Sequence, residues 1–150
     1  AQFAFALSTD PKYLILDEPT ANFDPDFKQD FLNVIMQFME SGKKSVIIAS
    51  HILDELDRIA DYLIYLDKGE LVYSGDIESF RDKYRIISGE SYKVKLLKQE
   101  DIIHVEDRKY GTKALVVNHG YSKYDGALTV TVPTLEEFMY HYSKRGESVI

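Results

Sequence analysis

The sequence contains no cysteine. That excludes disulfide bridges and thiolate metal sites, and it fits a reducing compartment. No apolar run approaches the roughly 18 residues that a bilayer-spanning helix needs. Runs such as residues 13–16 and 46–49 are only of strand length, and no signal-peptide pattern is visible. Positive charge is in short supply: 18 Lys and Arg stand against 25 Asp and Glu, a net charge of −7. Non-specific binding of nucleic acid needs the opposite balance. There is no internal repeat, no low-complexity tract and no long heptad segment.

With 45% hydrophobic and 29% charged residues, the 150-residue chain has a soluble, globular profile: one domain, or one domain with an appendage. It opens at Ala1 inside an apolar stretch, which predicts a fragment whose front is removed. Residues 1–8 read as the end of a buried helix that Asp10-Pro11 stops. Residues 13–16 and Ser45–Ala49 are continuous apolar runs suited to parallel strands covered on both faces. Between them, Asp24 caps a helix with Pro25 at its first position, and Phe27, Phe31, Val34, Ile35, Phe38 and Met39 form an apolar stripe up to Ser41-Gly42. A short helix carrying Ile52, Leu53, Leu56, Ile59 and Ala60 follows. The runs 62–66 and 70–73 are strands joined by a hairpin turn at Asp67-Lys68-Gly69, and residues 77–81 begin another helix.

The composition changes near residues 84–90. Beyond it, strands are expected at 92–97, 114–117 and 128–132, and Thr134 with Glu137 forms a capping box for a closing helix. Tyrosines at 92, 110, 121, 124, 140 and 142 suit the core of a small unit. His104, His119 and His141 are scattered and read as structural or surface residues.

Three features carry chemistry. Asp17 and Glu18 stand side by side where an apolar strand ends, and ligands of open α/β sheets bind beyond such ends. A carboxylate there holds Mg²⁺ through water, and its neighbour orients or deprotonates a water that attacks a phosphoryl group. Acidic residues also end strands for no chemical reason. The second feature is Ser50-His51, directly after the other buried strand, where an imidazole donates to a phosphate oxygen. Alone, a loop histidine is more often a solvated surface group. The third is residues 21–24, in which Asp24 precedes Pro25 as an ordinary helix cap would. Asp54, Glu55, Asp57 and Arg58 read as a solvated helix face, and no spacing suggests a metal cage.

Taken in order and spacing, the three features resemble the ATPase subunits of ABC transporters. Residues 14–18 resemble the Walker B motif, with Glu18 at the catalytic glutamate. Residues 21–24 resemble the D-loop, although Asn22 and Phe23 stand where the family usually has a small residue and Leu. His51 falls at the switch histidine of the H-loop. Residues 3–11 resemble the helix and loop before Walker B, and residues 67–75 the hairpin that follows the H-loop. The resemblance implies an α/β fold: a partial P-loop (RecA-like) core with a mainly parallel sheet and flanking helices over residues 1–85, and a small α+β appendage over residues 86–150, regulatory or dimer-forming. It implies ATP and Mg²⁺ as cofactors, with Asp17, Asp24 and His51 facing the nucleotide, Asp17 on the metal through water, and Glu18 and His51 catalytic. Asp24 communicates across a dimer of two ATPase subunits, homo- or heteromeric. The resemblance further implies a transmembrane permease as partner and a cytoplasmic location for the subunit, peripheral at the cytoplasmic face of the cell membrane, and the core-plus-tail arrangement is similar to antibiotic and multidrug exporters.

Two motifs of that family are missing: the phosphate-cradling Gly-x-x-x-x-Gly-Lys-Ser/Thr loop and the Leu-Ser-Gly-Gly signature. Gly42-Lys43-Lys44-Ser45 does not replace the first, because Gln37 stands where its first glycine belongs and the segment runs from helix to strand. Residues 1–150 alone are therefore expected to bind ATP weakly or not at all and not to hydrolyse it. The competing readings are a soluble ABC-type ATPase without a permease, similar to a translation factor, and a non-catalytic dimerisation or binding module.

Overall fold

The structure, a computed structural model, describes residues 2–53, 56–121 and 127–146. The sequence features at Ala1, Asp54, Glu55 and Tyr124 lie outside the described residues. The chain divides into two compact units, Ala1–Ile59 and Ala60–Ile150, whereas the composition change in the sequence falls near residues 84–90.

The first unit runs α1 (Gln2–Ser8), β1 (Tyr13–Asp17), α2 (Pro25–Met39), β2 (Ser45–Ala49) and a 3-10 turn at Leu56–Arg58. Asp10, at a φ of 48°, and Pro11 separate α1 from β1. The Asp24 carboxylate accepts the Phe27 amide at 2.8 Å and so satisfies one of the unpaired donors at the start of α2. Gly42 takes the left-handed conformation (φ 64°), and its amide donates to the Met39 carbonyl at 2.9 Å. β1 and β2 pair in parallel, in register from Tyr13↔Ser45 to Asp17↔Ala49. Leu14, Phe31, Leu32 and Ile35 are buried, and Phe3, Leu7, Leu16, Phe38 and Val46 pack around them. Among the described residues of the first unit, the strands are covered on one face and not on two, because α1 and α2 both pack on the side of Leu14 and Val46. Ile15 on the other side is 74% exposed and Ile47 59%. The helix expected from Ile52 onward is, among the described residues, only the 3-10 turn.

The second unit starts with an antiparallel hairpin of β3 (Tyr62–Asp67) and β4 (Glu70–Asp76). Its two-residue turn has positive φ at both Lys68 and Gly69, the geometry that matches strand twist. Asp76 caps α3 (Ile77–Lys83). Then come β5 (Tyr84–Gly89), α4 (Ser91–Val94), β6 (Ile102–Arg108), β7 (Gly111–Val117), β8 (Leu128–Thr131) and α5 (Leu135–Ser143). They form an antiparallel sheet of order β6-β7-β5-β8. On one face Val94, Leu97 and Tyr121 pack against Ile87, Ala114 and Val116. Strand alternation sends Tyr84 to the other face, where the Phe138 ring of α5 meets Tyr65, Phe80, Tyr84 and Tyr142 at centroid distances of 5.7, 4.8, 4.6 and 5.2 Å. Both hydrogen bonds of the Thr134–Glu137 capping box are present.

Among the described residues the architecture is mixed α/β with three sheets. Among the described residues, the parallel pairing is β1–β2 and the other sheets are antiparallel. The expected strand at 92–97 is instead a helical turn: Val94 and Leu97, three apart, are buried while Tyr92 and Leu96 are 62% and 81% exposed, a helical and not an alternating pattern.

Candidate functional site

The C-terminal ends of β1 and β2 carry the predicted residues. Parallel pairing in register brings both strands to the same edge, so the loops after Asp17 and Ala49 emerge side by side. The Glu18 amide extends the pairing by donating to the Ala49 carbonyl at 2.8 Å. Glu18 itself adopts a positive φ of 44°. Residues with a Cβ are uncommon there, and such backbone strain gathers at functional sites. The turn aims its carboxylate at the loop after β2. One oxygen, Oε1, accepts the His51 amide at 3.1 Å and lies 2.7 Å from His51 Nδ1; the other, Oε2, takes the Ser50 hydroxyl at 3.4 Å. The Glu18 and His51 side chains are 40% and 71% exposed, so the pair is open to solvent.

The hydrogen bond from the His51 ring holds the Glu18 carboxyl below its usual range. Partial burial opposes it, and the His51 charge and the Ser50–His51 segment add to the lowering. With Nδ1 turned to Glu18, Nε2 is the His51 ring nitrogen left to face a ligand. Asp17 ends β1, one residue before Glu18, with an exposed side chain. No group of three or more His, Cys, Asp or Glu among the described residues is arranged to enclose a metal. A lone open carboxylate does fit Mg²⁺, which keeps most of its water and binds proteins through one or two carboxylates. Asp24 sits elsewhere in the loop, bonded to the Phe27 amide of its own helix. The structure thus brings Glu18 and His51 into contact, sets Asp17 beside them in the chain, and gives Asp24 a capping bond.

In the sequence Ser50 stands out only as the neighbour of His51. The signal was there: a serine between a strand end and a turn commonly bonds the backbone two residues on, and the Ile52 amide donates to its hydroxyl at 3.0 Å. The other histidines lie in the second unit. His104 and His141 are buried with Nδ1 atoms 2.8 Å apart. His119 is hydrogen-bonded at 2.7 Å to the buried Asp101, which also accepts the Tyr121 hydroxyl.

No protein-family model matches the chain. Curated relatives are ABC transporter ATP-binding proteins. A putative ABC transporter ATP-binding protein of Mycoplasma pneumoniae is 43% identical over 70 residues, 47% of this chain and 22% of that protein. The energy-coupling factor transporter ATP-binding protein EcfA2 of Caldanaerobacter subterraneus subsp. tengcongensis is 41% identical over 81 residues, 53% of this chain and 28% of that protein. The protein of the same name from Streptococcus pyogenes is 35% identical over 69 residues, 46% of this chain and 24% of that protein. The aligned part of the chain thus spans about a quarter of the length of these relatives.

Proposed function

We propose that the chain is part of an ATP-binding subunit of an ABC transporter and carries the water-activating half of its hydrolytic site. One observation carries this reading: the 2.7 Å contact between Glu18 and His51 at the matched ends of two parallel strands. An acid and an imidazole fixed at one edge, with a second carboxylate beside them, serve phosphoryl transfer, in which catalysis is mostly positioning and charge stabilisation. The names of the relatives point the same way.

In this reading Glu18 orients the attacking water and accepts its proton. His51 keeps Nδ1 on Glu18 and turns Nε2 to a γ-phosphate oxygen, donating there as the imidazolium. Asp17 holds Mg²⁺ through water; the ion supplies charge neutralisation on the phosphates. Asp24 joins the nucleotide contacts across a dimer of ATPase subunits while capping α2. The β1–β2 pair belongs to a mainly parallel P-loop core of residues 1–85, and residues 86–150 form the appendage. The subunit, peripheral at the cytoplasmic face of the membrane, drives transport through a transmembrane permease. Export as the direction rests on the likeness of the core-plus-tail arrangement to exporters.

The test is MgATP binding and turnover by the full polypeptide that carries residues 1–150, with and without Glu18→Gln. The amide orients water yet takes no proton, so binding persists and turnover drops by about 10²-fold or more, the range for lost general-base catalysis. Normal turnover by Glu18→Gln removes Glu18 as the base. Residues 1–150 alone, without the phosphate loop, are expected to show no turnover above background.

A further inference from the structure

Glu18 is held from two sides. Oε1 takes both His51 contacts, and Oε2 meets the Ser50 hydroxyl. That hydroxyl accepts the Ile52 amide at 3.0 Å and lies 3.4 Å from the Ile52 carbonyl. A hydroxyl has one proton and two lone pairs. A lone pair of Ser50 therefore takes the Ile52 amide, and its proton is shared between the carboxylate and the carbonyl. The bond to Ile52 closes a tight turn over residues 50–52. His51 is the middle residue of that turn, so the turn directs the His51 amide, which reaches Glu18 at 3.1 Å. Ser50 also follows Ala49, whose carbonyl takes the Glu18 amide. Among the described side chains around Glu18, Ser50 is the one bonded both to its carboxylate and to the backbone that presents His51.

We propose that Ser50 is the positioning residue of this site: its hydroxyl sets the Glu18 carboxylate and the His51 amide in one fixed geometry. The inference rests on the ATPase reading. The hydroxyl touches no reacting atom, so its loss lowers the rate and spares nucleotide affinity. Threonine keeps the hydroxyl, and valine has the shape of threonine without it; both are β-branched and suit a strand end.

The experiment is steady-state MgATP hydrolysis by the full polypeptide carrying wild-type residues, Ser50→Thr, Ser50→Val or Glu18→Gln. It is paired with amide hydrogen exchange of Ile52 and His51 in the same polypeptides. Losing one hydrogen bond to a charged group lowers kcat of Ser50→Val about tenfold. KM stays within about twofold, and Ser50→Thr remains within about twofold of wild type in both, since uniform binding is untouched. Exchange at Ile52 quickens in the valine variant and not in the threonine variant. Equal kcat for valine and threonine variants overturns the role of the hydroxyl, as does unchanged Ile52 exchange in the valine variant. If the wild-type polypeptide shows no MgATP turnover above background, the ATPase reading itself fails; if Glu18→Gln is as active as wild type, Glu18 is not its base and Ser50 has no catalytic carboxylate to position. An inactive Glu18→Gln beside a fully active Ser50→Val sinks only the inference about Ser50.

Discussion

Acidification is expected to loosen the second unit through one buried imidazole. His141 of α5 is 1% exposed, and its Nδ1 faces Nδ1 of His104 on β6 at 2.8 Å. At that distance one nitrogen must donate and the other accept. Burial first, and the His104 charge second, lower the His141 pKa from 6.5 to about 4. Lys113 of β7 and Arg108 of β6 push the same way, and Glu106 opposes. The unfolded chain takes up this proton near 6.5 and the folded chain only near 4. Between those values the unfolded state binds more protons, so stability falls as pH drops and is level above about 6.5. Each tenfold change in proton affinity is worth ~1.4 kcal/mol, which puts the loss at about pH 4.5 at ~2.5 kcal/mol. Carboxylates held low, among them Glu106 and Glu137, add losses of their own at lower pH. Urea unfolding of wild type and His141→Asn at neutral pH and at about pH 4.5 isolates the imidazole, since asparagine does not titrate. Wild type should lose ~2.5 kcal/mol more than the variant. Equal losses refute the reasoning.

Two further outcomes concern stability. Phe138→Ala removes the ring that touches Tyr65, Phe80, Tyr84 and Tyr142 and should cost ~3–5 kcal/mol in urea unfolding. Asp24→Ala removes the acceptor of the Phe27 amide and should cost ~1 kcal/mol, read as faster amide exchange through the first turn of α2 with no change in β5–β7.

The elements that ended in strong local chemistry were legible from residues alone. Asp24-Pro25, Gly42, Lys68-Gly69 and the Thr134–Glu137 box each set a backbone boundary by capping or φ preference, and each stands where expected. The runs 13–16 and 45–49 read as strands because nothing polar interrupts them. What escaped was decided by tertiary partners. Residues 92–97 look strand-like until Val94 and Leu97 are seen to share one side against β5 and β7. β6 carries His104 and Glu106 facing α5, so its polar pattern hid a strand. Apolar runs also suggested two covered faces for β1 and β2, yet sequence alone does not say where the covering surface lies. At the site, adjacency announced Asp17 with Glu18, while the bonding of Ser50 depended on a contact across 32 positions of chain.

The most direct test of the central claim is a double-mutant cycle on ATP turnover by the full polypeptide, with Glu18→Gln, His51→Ala and the pair together. Residues that meet and act as a unit give non-additive losses, so the double variant should be no slower than Glu18→Gln alone. Losses that multiply, as for two independent sites, contradict a shared role for Glu18 and His51 at one phosphate.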